Sequence, residues 1–262
     1  MSNTTTYNRS DAIELAPGIF HLGVSDENNS FANIPYLILS GDEAVVIDPG
    51  SAREEFFAVV LAKINQVLDG DLTRIKHIVV QHQDADLCAA IPLLEKYITE
   101  DCKVYAPLEA QVIIQHFGAK RRVNPLDDGD TLTFGEGRVL TFAMTPYCHF
   151  VGAMVTYDSQ TKTLFSSDAF GGFSSENDLY ANDNYPIQLA TFLGEYLGSK
   201  RALEYALKRI EQLDAQHGID LICPQHGCVI PKNKISEYLA IVHELEVGGQ
   251  IDALAHKNGI IM

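Results

Sequence analysis

The chain has 262 residues, of which 46% are hydrophobic and 21% charged, enough apolar content to bury a substantial core. Thirty-five acidic residues stand against 19 basic ones, a formal net charge of −16 at pH 7. Such a surface repels phosphate backbones and anionic headgroups, and no apolar run reaches the roughly 18 residues of a membrane span, so neither nucleic acid nor membrane is expected as a partner.

The opening Met1-Ser-Asn-Thr-Thr-Thr is polar and lacks the charged and apolar regions of a secretion signal, which makes the cytoplasm the expected compartment. Five cysteines, Cys88, Cys102, Cys148, Cys223 and Cys228, are odd in number and form no C-x-x-C pair. They read as free thiols in a reducing compartment.

Residues 19–24 and 35–39 read as strands, with Asn28-Asn29-Ser30 as a loop between them. The run 44–47 is a third strand, stopped by Asp48-Pro49-Gly50. Apolar residues then recur at helical spacing from 53 to 68 as Phe56, Val59, Val60, Ile64 and Val67, and Asp69-Gly70 ends the helix. Strand 75–80 leads through His82-Gln-Asp-Ala-Asp-Leu87 into an expected helix over 87–97. Strand 103–105, helix 108–117, a turn at Asp127-Asp128-Gly129-Asp130, and strands 138–144, 154–157 and 163–167 follow. Helices are expected over 187–197 and 200–216, then strand 220–223 and a last helix over 234–245. Elements alternate without a Pro-, Gly- or Ser-rich linker, so we expect one α/β domain, its core at about 12–246, with a short extension over 247–262. Two similar halves fit a sandwich of two mixed sheets covered by helices.

Six residues carry the candidate chemistry: His82, Asp84, Asp86, His149, Asp168 and His226. Each lies just after an expected strand, where α/β folds gather their sites. One such residue alone is ordinarily a cap or a satisfied polar group; six at strand ends point to a shared metal site. The H-x-D-x-D spacing puts three donors within five residues on one loop. Three imidazoles and three carboxylates, with no thiolate, suit iron or manganese better than zinc. Asp168 stands alone on its strand and is the natural bridging carboxylate. Three carboxylates against two divalent ions leave one positive charge to be met by an oxygen ligand.

This pattern resembles the H-x-H-x-D-H, H, D, H motif of the metallo-β-lactamase superfamily, with two departures: Asp84 replaces the second histidine and Leu87 the last. The carboxylate resembles the H-x-E-x-D motif of the flavodiiron proteins. Their neighbourhoods match too, in Thr145-Pro-Tyr-Cys-His149, Met154-Val-Thr-Tyr157, Leu164-Phe-Ser-Ser-Asp-Ala-Phe-Gly171 and Cys223-Pro-Gln-His-Gly227. The segments Gly23-Val-Ser-Asp26 and Tyr36-Leu-Ile-Leu…Val-Ile-Asp48 are similar as well, so the resemblance spans about residues 15 to 245. It implies a metallo-β-lactamase-type αββα sandwich and two non-haem irons: one on His82, Asp84 and His149, the other on Asp86 and His226, bridged by Asp168. Leu87 cannot coordinate, which leaves the second iron short of protein donors and open to O2, NO or water. Asp48 is read as supporting the site rather than binding metal.

No Gly- and Ser/Thr-rich phosphate-binding loop follows residue 245, so no flavin is expected in this chain, and it resembles the stand-alone oxygen-binding diiron proteins. The function so implied is binding of O2, with formation of a diferric-peroxo species, in oxygen sensing. The alternative is an O2 or NO reductase subunit fed by a separate flavoprotein or rubredoxin. A dinuclear hydrolase fits worse, because Asp84 and Leu87 both leave the hydrolase set. Expected partners are O2 or NO as ligand and a signalling or electron-transfer protein, with a homodimer among the states allowed.

Tyr147, Tyr180 and Tyr185 are candidate pocket residues, with Phe150 and Phe170 as candidate apolar neighbours. Cys88 and Cys148 are expected to be buried. His21, His77, His116, His217, His243 and His256 fit no ligand pattern and are assigned to structure or surface.

Overall fold

The computed structural model describes residues 10–26, 31–174 and 178–261; the expected loop Asn28-Asn29-Ser30 lies outside them. In chain order the first half holds β1 (Ile13–Ala16), β2 (Ile19–His21), β3 (Val24–Asp26), β4 (Phe31–Asn33), β5 (Tyr36–Ser40), β6 (Glu43–Ile47), α1 (Glu54–Val67) and β7 (Ile75–Val79). Two short helical turns follow, α2 (Ala85–Cys88) and α3 (Ile91–Leu94), then β8 (Lys103–Pro107), α4 (Leu108–His116) and β9 (Val123–Leu126). The second half holds β10 (Thr131–Phe134), β11 (Arg138–Met144), β12 (Met154–Asp158), β13 (Thr163–Ser167), α5 (Tyr185–Tyr196), α6 (Lys200–His217), β14 (Leu221–Pro224), β15 (Ile230–Pro231), α7 (Lys232–Glu244) and α8 (Gly249–Asn258).

The strands form a seven-stranded sheet, β1-β2-β5-β6-β7-β8-β9, and a six-stranded one, β10-β11-β12-β13-β14-β15. Strands β6 to β9 run parallel, as do β13 and β14. The central strands of each sheet are buried on both faces, and the alternation of side chains sorts them. On β6, Val45 and Ile47 enter the layer between the sheets, with Tyr36, Phe142, Met154 and Phe165. Ala44 and Val46 face the opposite way, toward Val60 and Ile64 of α1. On β12, Val155 and Tyr157 pack with Phe192 of α5, Leu207 of α6 and Tyr238 of α7. The result is helix, sheet, sheet, helix: the αββα sandwich that the resemblance implies.

A buried ion pair pins the two sheets together. Arg138, at the start of β11, donates to both carboxylate oxygens of Asp158 at 2.8 Å. Its third nitrogen donates across the layer to the carbonyls of Pro17 and Leu39, each at 3.1 Å.

Two expectations change. The strand over 19–24 is two strands in different sheets, because β3 leaves β2 at Leu22-Gly23 to pair with β4. The helix over 87–97 is broken: Leu87 O accepts from Gly50 N at 2.7 Å, and Ala90 N donates to Gly50 O at 2.9 Å. These backbone bonds to the strand-end turn replace helical ones, and Pro92 has no N–H to offer. The extension beyond 247 contains helix α8, which buries Ala255.

Candidate metal centre

All six candidate residues follow strand ends and converge at one edge of the sandwich. His82, Asp84 and Asp86 come from the loop after β7, His149 from the loop after β11, Asp168 from the end of β13 and His226 from the end of β14. Parallel pairing of β6 with β7 and of β13 with β14 brings those ends side by side.

Asp168 is central. Its Oδ2 lies 3.0 Å from His149 Nε2 and 3.5 Å from His82 Nε2, while its Oδ1 lies 3.6 Å from His226 Nε2. Asp84 Oδ2 stands 3.6 Å from His149 Nε2, and Asp86 Oδ2 stands 3.4 Å from His226 Nε2. One donor atom each from His82, Asp84 and His149 falls within 4.8 Å of the others. Two groups therefore flank one carboxylate, His82–Asp84–His149 on one side and Asp86–His226 on the other.

The histidines are aimed by their outer nitrogens. His226 Nδ1 donates to the carbonyl of Ala32 at 2.6 Å, which fixes the proton on Nδ1 and turns the Nε2 lone pair inward. His82 Nδ1 pairs with Ser167 Oγ at 2.8 Å. Tyr185, fully buried, donates to Phe170 O at 2.8 Å and packs against Gly227. Gly227 has φ +89°, and a Cβ there would overlap Tyr185 Oη and lie 2.8 Å from Gly172 O, so only glycine lets His226 sit where it does.

Asp48, fully buried, supports both flanks. It accepts from the backbone N–H of Gln81 at 2.7 Å, from Gln81 Nε2 at 3.0 Å and from Gln225 Nε2. Gln81 precedes His82 and Gln225 precedes His226. Asp48 thus ties together the two loops that carry those histidines, in agreement with its expected supporting role.

A fit test for a cation comes from the buried atoms. His82 Nε2, Asp86 Oδ2 and Asp168 Oδ1 are buried without a hydrogen-bond partner. Leaving such an atom unsatisfied costs about 1–3 kcal/mol. Three of them around one cluster of imidazoles and carboxylates suit bound cations on the two flanks, which would together satisfy all three. Burial pushes Asp86 up to about 6 and His82 down to about 4. Burial also opposes ionisation of Asp168, but His82, His226 and the hydrogen bond from His149 outweigh it and hold its carboxyl well below the usual range.

The tyrosine expectations divide. Tyr185 supports the site from beneath, whereas Tyr147 is 59% exposed. Tyr180 forms an isolated bridge with Val229. Phe150 lies against His149 and His82, with ring centroids at 4.3 and 5.6 Å. Phe170 instead belongs to the core beneath the second sheet. Cys88 and Cys148 are buried, as expected. The sequence reading missed four mutually packed rings, Phe31, Phe173, Phe192 and Tyr196, of which Phe31 and Phe192 stand beside His226. They lie on β4, after β13 and on α5, and only the i, i+4 spacing of Phe192 and Tyr196 gave any local sign of them.

Comparison with known proteins agrees with this architecture. Residues 31–227 match the family model ODP family beta lactamase. The anaerobic nitric oxide reductase flavorubredoxin of Aliivibrio salmonicida is 29% identical over 183 residues, covering 67% of this chain and 36% of that protein. The chain thus spans about a third of the length of that curated relative. Rubredoxin oxygen:oxidoreductase from Desulfovibrio gigas superposes with a TM-score of 0.79 at 23% identity, over 89% of this chain and 61% of that one. A peroxy diiron species of the chemotaxis sensor ODP superposes with a TM-score of 0.75 at 20% identity, over 93% of this chain and 98% of that one. With a family model matched over most of its length and the sandwich to go with it, the chain belongs to the ODP family beta lactamases.

Proposed function

We propose that this chain is a non-haem diiron protein that binds O2 for sensing. The observation that carries the reading is the position of Asp168, with one oxygen facing His226 and the other facing His82 and His149. In this reading His82, Asp84 and His149 hold one iron, Asp86 and His226 hold the other, and Asp168 serves both. Iron so held supplies ligand binding and one-electron redox chemistry.

The chain's own residues prepare the position. The Ala32 carbonyl and Ser167 hydroxyl orient His226 and His82. Asp48 fixes the spacing between their loops. Counting Asp168 twice, the first iron has four protein donors and the second three, and the deficit marks where an exogenous ligand enters. Similarity to a chemotaxis sensor, matched over 98% of its chain, supports a signalling role. No helix among the described residues is long and apolar enough to cross a membrane, and we place the protein in the cytoplasm.

A second reading, an O2 or NO reductase subunit with an external electron donor, is favoured by the identity with flavorubredoxins. One experiment separates the two. Protein purified anaerobically with iron is assayed for metal, then mixed with O2 in a stopped-flow spectrometer. The sensor reading expects two irons per chain and a visible band that persists. Rapid multiple turnover on adding a flavoprotein or rubredoxin supports the reductase, and two functional zincs with no iron overturns both.

A further inference from the structure

The four missed rings form a closed cluster. All six pairwise centroid distances among Phe31, Phe173, Phe192 and Tyr196 fall between 4.8 and 6.4 Å. The cluster is not placed evenly over the site. Phe31 lies 4.3 Å and Phe192 5.3 Å from the ring of His226. Tyr196, 44% exposed, lies at the outer edge, 6.4 Å from His149. Two of its rings, Phe31 and Phe192, face the flank with fewer candidate donors, and Tyr196 reaches from there toward His149.

Phe31 is also held in register with that flank. Its neighbour Ala32 accepts the hydrogen bond from His226, and Asn33 Nδ2 donates to the carbonyl of Asp86. Ile34 N donates to Gln225 O at 3.0 Å. The strand that carries the ring is therefore fastened to both residues of the Asp86–His226 group.

An anion approaching this flank must shed its hydration against carbon, and ring faces carry the negative end of the aromatic quadrupole. A neutral diatomic molecule has little hydration to lose. We propose that Phe31, Phe173, Phe192 and Tyr196 act as a charge filter on the Asp86–His226 flank, admitting neutral diatomic ligands and excluding small anions. The inference rests on the dinuclear reading for the existence of an open position there, but not on the metal being iron or the ligand being O2.

The test uses the full chain loaded with cobalt(II), titrated with azide and followed by the visible d–d spectrum. Wild type is expected to bind azide weakly. Phe31→Ala should bind it at least about tenfold more tightly at equal cobalt content, and Phe31→Leu should behave as wild type. Tyr196→Ala, at a half-exposed position that tolerates truncation, should move in the same direction, whereas Tyr196→Phe should not. If Phe31→Ala loses its metal, Tyr196→Ala decides the matter alone. Azide affinity unchanged in the truncations overturns the filter and leaves the carboxylates as the cause of exclusion. Titrating the diferrous protein with nitric oxide keeps the two ideas apart: failure to bind it, with the azide result intact, sinks the gas-binding reading and the admission of neutral diatomics, and leaves only the exclusion of anions. Failure to take up cobalt overturns both.

Discussion

Asp48 receives two hydrogen bonds from Gln81, one from its backbone N–H at 2.7 Å and one from its side-chain amide at 3.0 Å. A third comes from Gln225, and burial pushes the Asp48 carboxyl well above its usual range despite these bonds. Asp48→Ala strands three buried donors and should cost about 2–4 kcal/mol, given about 1–3 kcal/mol for each unsatisfied group and some relaxation. Asp48→Asn should be much milder, because the side-chain oxygens of Gln81 and Gln225 are themselves without partners and can accept after an amide flip. Thermal denaturation of both variants, with and without metal, measures this. Equal losses would show that Asp48 needs its charge rather than its geometry.

If the dinuclear reading holds, replacing Asp168 with Ala should reduce bound metal from two ions per chain to near zero. Asp84→Ala, at a more exposed side chain that belongs to the His82–His149 group alone, should leave at least one. Elemental analysis after gel filtration reads both. Full retention of two ions by Asp168→Ala would remove the shared carboxylate from the scheme.

Gly227→Ala should destabilise by roughly 3 kcal/mol or more, since the new Cβ overlaps Tyr185 Oη at a residue with φ +89°. Adding Tyr185→Phe should recover part of the loss, but not all, because Gly172 O remains 2.8 Å away. Urea titration of the single and double variants gives the recovery. Purely additive losses would mean that the phenol is not the obstacle.

All five cysteines are buried and unpaired by disulfides. Burial pushes the thiols of Cys102 and Cys148 up to about 12, which leaves almost no thiolate at neutral pH. A colorimetric thiol reagent at pH 8 should therefore find close to none in native protein and five after denaturation. Fast labelling of Cys148 under native conditions would show that the loop carrying His149 opens.

The site was more legible than its surroundings, for a physical reason. A histidine or aspartate at the end of an apolar strand breaks a strong pattern, so His149, Asp168 and His226 stand out one by one. The broken helix after residue 84 did not show, because its interruption depends on Gly50, a residue 37 positions before Leu87 in the chain. Strand β10, Thr131–Phe134, alternates as a strand should but is only four residues long between turns. The rings around His226 were invisible for the opposite reason: each phenylalanine makes an equally good core residue. Only the pairing of β3 with β4 and the course of α5 bring them together.

Arg138 stands at the first residue of β11, and His149 lies beyond the last. At about 3.3 Å per residue along the strand, the guanidinium sits roughly 20 Å from the centre. Its bonds to Pro17 and Leu39 fix the angle between the sheets at that end, while the carboxylates and imidazoles meet at the other. The sandwich is thus held like a pair of tongs, with the grip at Arg138 and the jaws at the metal position. Loosening the grip, as with Arg138→Met, would alter the gap between the jaws without touching a single donor atom, and would broaden the spectroscopic signature of the centre before it lowered the metal content.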